Sequence, residues 1–281
     1  VQLQAAYGRY HQFLTLETSQ LFTAFDTWLM ADAGLPPASG NQFALGTSAQ
    51  LGNAWRIEVE GYARTMTDLF ELDPFLPDAA GVPYPERFHV GDGRAYGMEV
   101  LLRRPQGRLT GFLSYTLGRT ERRFPNINQS EAGMPQYYAP NYDRTHSLTL
   151  AATYTLTDHW RVSSTFNYAT GQAYTAPVQR YELIDSPFSF SPGVGEGENV
   201  LVSPFNNKRL PAYHRLDLGV ARTGTFFEIA EYELQLQAIN AYARRNIWFY
   251  QFEGEPDGTL DRNETPQIPI PVPNISFTLT F

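Results

Sequence analysis

Apolar and polar residues alternate along most of this chain. In His146–Leu156, Leu148, Leu150, Ala152, Tyr154 and Leu156 take every second position against Ser147, Thr149, Ala151, Thr153 and Thr155. A period of two puts each set on one face of a β-strand. Trp55, Ile57 and Val59 alternate in the same way with Arg56, Glu58 and Glu60. Leu216, Leu218 and Val220 oppose Arg215 and Asp217, and Leu234, Leu236 and Ala238 oppose Glu233, Gln235 and Gln237. The chain ends in this pattern, with Phe277, Leu279 and Phe281 set against Ser276, Thr278 and Thr280.

The pattern predicts about ten strands: Val1–Phe13, Gln42–Leu51, Trp55–Leu69, Ala95–Arg104, Arg108–Thr120, His146–Leu156, Trp160–Gly171, Ala212–Thr223, Glu231–Ala243 and Asn274–Phe281. Their connections alternate strictly between long and short. Gly52-Asn53, Pro105-Gln106-Gly107, Thr157-Asp158-His159 and Gly224–Ala230 are the short ones, while Leu14–Gly40, Glu71–Arg94, Glu121–Thr145, Gln172–Leu210 and Arg244–Val272 read as long loops. An antiparallel up-and-down transmembrane β-barrel has this asymmetry, with short periplasmic turns and long extracellular loops. A soluble sandwich has alternating strands too, but nothing sends all its long loops to one end. The expected fold is therefore all-β, one membrane barrel domain over residues 1–281. Arg56, Glu58, Glu60, Arg103, Arg215, Asp217 and Glu233 would face a wet lumen, as would Arg64, Arg119 and Arg222. The Leu, Val and aromatic sets would face lipid.

Composition agrees. There are 281 residues with 17 Tyr and 19 Phe, enough for aromatic girdles at both interfaces. Mean hydropathy is −0.35, and no run approaches the ~18 apolar residues of a spanning helix. Barrel strands dilute their own hydropathy, so this leaves the barrel intact. The net charge of −8 argues against nucleic acid as a partner. The absence of cysteine removes disulfides and thiolate metal sites. Val1 opens directly into a strand pattern without a secretory leader, so the chain is expected to be mature or a piece of something longer.

Several segments resemble one family, the TonB-dependent outer-membrane receptors. They are Tyr7-Gly8-Arg9-Tyr10-His11-Gln12, then Gly93–Val100 followed by Leu109–Leu117. Arg209-Leu210-Pro211-Ala212-Tyr213-His214-Arg215 resembles that family's approach to its penultimate hairpin. Asn240 and Asn246 match its spaced-asparagine segment after that hairpin. The terminal Phe281, with Phe277 and Leu279, resembles the signal read by the barrel-assembly machinery. The resemblance implies the C-terminal half of a 22-stranded barrel, with no plug domain or energy-coupling box in this chain. It also implies a Gram-negative-type outer membrane, and as partners outer-membrane lipid, further barrel strands, a plug and the TonB complex. The implied activity is energy-driven uptake of a metal chelate, vitamin, glycan or peptide, with no cofactor and no enzymatic role. On this reading the first and last strands do not pair with each other.

The residues leave other readings open. The five histidines show no ligand spacing, and neither a nucleophile elbow nor a phosphate loop is present. A self-contained ten-stranded barrel hydrolase would draw on His89 with Asp92 in one loop and His146 with Asp143. A passive pore or adhesion barrel would use neither. From Asp257 to Glu264 oxygen side chains recur by two, at Asp257, Thr259, Asp261 and Asn263, as in a weak Ca²⁺ loop with Asp257 and Asp261 as its acids, but the Gly and final acid of an EF-hand are missing. The long loops carry aromatics beside polar groups, able to stack on and hydrogen-bond a ligand. Trp28, His89, Tyr137, Tyr138, Tyr142, Asp143 and Arg144 are the ligand-binding candidates.

Overall fold

The structure, a computed structural model, describes residues 1–17, 27–32, 34–73, 82–182, 198–202, 204–227, 229–254 and 259–281. Ten strands build one antiparallel sheet: β1 (Gln2–Gln12), β2 (Ala38–Leu51), β3 (Trp55–Leu72), β4 (Phe88–Arg104), β5 (Leu109–Arg123), β6 (His146–Thr155), β7 (Trp160–Ala169), β8 (Tyr213–Phe226), β9 (Ala230–Ile239) and β10 (Val272–Thr280). Each pairs with its neighbour in the sequence, so the sheet order is the chain order. All long connections therefore lie at one end and all short turns at the other. β1 pairs only with β2 and β10 only with β9, so among the described residues the sheet is an unclosed wall with two free edges.

Register carries the period of two across the whole wall, because directly paired residues share a face. Glu60 is flanked by Gly46 of β2 and Glu99 of β4, and Ser114 by Leu101 and Thr149. Asp217 lies opposite Thr165, and Glu233 lies between Thr223 and Thr278. These rows form one polar face. The other face runs through Leu45, Val100, Tyr115, Leu148, Phe166, Leu216, Leu234 and Phe277 by the same pairings. Among the described residues no second layer covers it: Leu45 is 68% and Ile275 69% exposed. Apolar exposure on that scale needs an apolar solvent or partner.

The wall is taller at its long-connection end than the alternation predicts. β3 runs on to Leu72, β4 starts at Phe88 and β5 reaches Arg123, so His89 and Asp92 lie on a strand and not in a loop. A register shift between Met66 and Leu69, with Asp68 at a φ of 57°, breaks the alternation where the expected strand stopped. Three connections also carry hairpins of their own: Leu14–Glu17 with Thr27–Met30, Pro177–Glu182 with Glu198–Val202, and Asn246–Gly254 with Leu260–Gln267. Ile247-Trp248-Phe249-Tyr250 has the composition of a strand. Its signal is masked by the prolines at 266, 269, 271 and 273 just beyond it.

A wall with two exposed faces has no core of its own. The buried apolar cluster lies instead under the long connections, where Phe124, Ile127, Tyr138 and Phe205 pack together with Leu69.

Candidate functional site

On the polar face several charges are paired along and across strands. Arg56 bonds Glu58 at 3.0 Å, which offsets Arg103 directly opposite Arg56. Arg161 of β7 bonds Glu233 of β9 at 2.7 Å, and Arg215 bonds Asp217 at 2.8 Å. Gly46, between Gln4 and Glu60 in register, leaves room for the Gln4 amide to donate to the Glu60 carboxylate at 3.3 Å. All seven residues assigned to the lumen share this face. Arg119 and Arg222 do not, which corrects their expected placement. Register puts Arg119 opposite Tyr96 and Arg222 opposite Trp160 and Leu234, on the apolar face.

At the long-connection end, the segment 124–145 folds back along β5. Arg122 and Tyr138 exchange backbone hydrogen bonds, adding a short rung to the strand edge left free above β6. Consecutive residues then point to opposite sides. The Tyr138 ring enters the buried cluster, whereas Tyr137 lies on the other side between Arg94 and Arg123, 4.2 and 4.7 Å from its centroid. Its hydroxyl donates to Asp92 at 2.8 Å, and Asp92 is forked by Arg123. That hydrogen bond, followed by burial, holds the Tyr137 phenol above its ordinary pKa. Tyr142 lies under the Arg122 guanidinium, 5.3 Å from its centroid.

Asp143 is buried and fully engaged. It accepts the Thr120 backbone N–H at 2.8 Å and the Arg209 guanidinium at 2.5 Å. Arg209 also donates to the carbonyls of Asp143 and Gly171. A Cβ on Gly171 would collide with the Leu210 carbonyl, so only glycine allows this approach. His146 is bonded to the Tyr115 hydroxyl at 2.8 Å, and His89 lies 3.5 Å from Asp73. The acids and histidines of the hydrolase reading thus each have separate partners. Trp28 is exposed on its hairpin. Asp257 falls outside the described residues, and Asp261 is on an extended strand with its carboxylate accepting the Arg262 N–H. Among the described residues no three potential ligands gather to hold a metal.

Among the ligand candidates, Arg144 lines a cavity. A recess of about 390 Å³ at the outer end of the polar face is lined by Arg144, Thr149, Asn167, Tyr213 and Arg215. Thr149 donates to Asn167 at 3.1 Å, and the Arg144 guanidinium is 6.0 Å from the Tyr213 ring centroid.

Residues 1–241 match the family described as TonB dependent receptor-like, beta-barrel. The chain belongs to that family. Its fold is similar to that of the ferric-catecholate import receptor Fiu from E. coli K12, with a TM-score of 0.57 and 13% identity over 99% of this chain. The match covers 32% of the Fiu chain, so this chain spans about a third of that receptor's length. A search of curated protein sequences finds no match.

The asparagines of the receptor-like segment now have a physical role. β9 leaves β8 after pairing Leu218 with Ala238, which leaves the outer part of β8 paired with β7 on one edge and without a strand on the other. Asn246 fills the gap: its side-chain amide accepts the His214 N–H at 3.0 Å and donates to the His214 carbonyl at 2.9 Å. Asn240, in the left-handed region at φ 55°, donates its backbone N–H to Asp217 and its side-chain amide to the carbonyls of Arg244 and Ile268. Asn128 repeats the device on Phe205, 77 residues away. In this receptor barrel the side-chain amides act as short strands that tie connections to the wall. Arg209 and Tyr213 lay inside a segment that carried the resemblance. Arg94 also lay inside such a segment, Gly93–Val100, but nothing local tied it to Glu121 or Arg123 to Asp92, because those partners are on adjacent strands.

Proposed function

We propose that this chain forms part of the wall of an energy-coupled outer-membrane receptor for a scarce nutrient. The carrying observation is the two-faced, unclosed ten-stranded wall with every long connection at one end. A polar face lining an aqueous lumen and an apolar face against lipid satisfy both solvents at once, and a sheet satisfies its backbone in lipid only when closed into a barrel. Closure then requires further strands at β1 and β10, as in a 22-stranded receptor of which this would be the C-terminal half. The paired charges of the polar face suit contact with a plug, and the TonB complex supplies the pull. The long connections face outward and capture the ligand. The recess at Arg144 and Arg215 favours an anionic group on that ligand, which a metal chelate such as the ferric catecholate of Fiu would provide.

Uptake tests this. In cells lacking the gene, accumulation of a radiolabelled ferric catecholate, ferric hydroxamate, cobalamin or oligosaccharide should fall for one class, and an uncoupler should abolish the same flux in wild-type cells. Uptake that survives uncoupling would indicate a passive pore. Unchanged uptake with hydrolysis by the purified protein would indicate the barrel hydrolase.

A further inference from the structure

The arginines on the apolar face differ between its two ends. At the long-connection end, Arg94 and Arg119 both bond Glu121 at 2.6 Å, and Arg123 bonds Asp92. At the short-turn end, Arg104 and Arg222 have no carboxylate partner among the described residues. Each lies instead over the indole of an adjacent strand, Arg104 at 5.3 Å from the Trp55 ring centroid and Arg222 at 5.5 Å from that of Trp160. The Nε of Arg104 is buried without a hydrogen-bond acceptor.

The two pairs are one device used twice. Met98, Val100 and Leu102 precede Arg104 on alternate positions of β4, as Leu216, Leu218 and Val220 precede Arg222 on β8. Val59 and Ile57 lead to Trp55 on β3, as Phe166 and Val162 lead to Trp160 on β7. Each Arg–Trp pair therefore follows three mainly apolar rows, with Gly61 on β3 and Ser164 on β7 as the exceptions, at the level where hydrocarbon gives way to headgroups. Indole is favoured at that depth, and a guanidinium there meets phosphate. Guanidinium matches phosphate in two-point geometry, and stacking on indole presents its donors edge-on.

We infer that Arg104 with Trp55 and Arg222 with Trp160 form two binding sites for the phosphate of an anionic phospholipid in the leaflet at the short-turn end. The inference rests on the reading of the apolar face as lipid-facing. The phospholipid is the committed source, since both sites lie on the face whose lower rows are apolar and not on the polar face open to soluble phosphate.

Native mass spectrometry of the whole protein released from nanodiscs tests it, with phosphatidylglycerol or phosphatidylcholine as the lipid. Wild type should retain two phosphatidylglycerol molecules more than the R104Q/R222Q variant, each single variant should lose one, and millimolar inorganic phosphate should not displace them. Affinity should fall roughly fivefold per arginine. Arg→Lys variants should recover part of it, and R119Q, at the other end, should change nothing. Equal phosphatidylglycerol retention by a folded, inserted double variant would overturn the sites while leaving the membrane wall intact. Displacement by inorganic phosphate would mean that these are simple anion sites. Failure of wild type to insert would overturn both readings.

Discussion

Arg209 reaches across 66 residues of sequence to the buried carboxylate of Asp143, and the pair joins the end of segment 124–145 to the mouth of the β7–β8 connection. The carboxylate also caps the Thr120 N–H, at a point where β5 extends beyond its neighbour β6. Removing it leaves a guanidinium, a backbone N–H and two tethered connections without their common anchor. Asp143→Ala should cost about 3 kcal/mol, as for a broken buried ion pair. Urea titration of the folded protein followed by limited proteolysis would measure it, with the first new cleavages expected in 124–145. A fully stable variant would contradict the anchoring role.

Asn246 replaces a missing strand at His214, so its loss strands a donor and an acceptor together. Asn246→Ala should destabilise the outer end of β8 by about 1–3 kcal/mol for each group left unsatisfied. Hydrogen exchange at the His214 amide should accelerate while that at Val220, paired on both sides, stays slow. Asn246→Asp keeps the acceptor and loses the donor, so it should fall between.

Tyr137 should titrate above the ordinary tyrosine value, because its hydroxyl donates to Asp92. The folded state holds this proton more tightly than the unfolded chain. The contribution is therefore complete below about pH 10 and is lost as pH rises through the folded-state value. Ring-labelled tyrosine NMR should show a late-titrating resonance that disappears in Tyr137→Phe. Asp92→Asn should move it down towards the ordinary value.

The two faces should respond oppositely to charge. Leu150→Arg, on the apolar face in the middle of β6, should cost about 2–4 kcal/mol in a bilayer. Thr165→Arg, on the polar face beside Asp217, should cost little. Equal costs at both positions would remove the distinction between lipid and lumen.

These tests follow what the sequence could and could not reveal. The wall was legible because membrane and lumen impose a period of two that no local preference disturbs, as in Leu148 to Leu156. Orientation followed from the alternation of long and short connections. The end near Asp92 was not legible, since the register shift at Asp68 breaks the period and the outer end of β5 carries charge on both faces, Arg122 on one and Glu121 and Arg123 on the other. Nor could Tyr137, Tyr138 and Asp143 be sorted. One lies between arginines, one packs into the buried cluster and one anchors two connections, and those differences depend on Arg94, Phe205 and Arg209, all distant in sequence. Asn240 and Asn246 were visible as a pattern, but their role depends on where β9 leaves β8.

The central claim is that this chain builds one arc of a larger barrel wall. With no native cysteine, disulfide trapping in outer membranes tests it directly. Cysteines at Ala6 and Ala44, paired in β1 and β2, should cross-link as the positive control. Cysteines placed at Ala6 and along β10 from Ser276 to Thr280 should give no intramolecular product. Efficient β1–β10 cross-linking would show a ten-stranded barrel closed on itself and contradict the account.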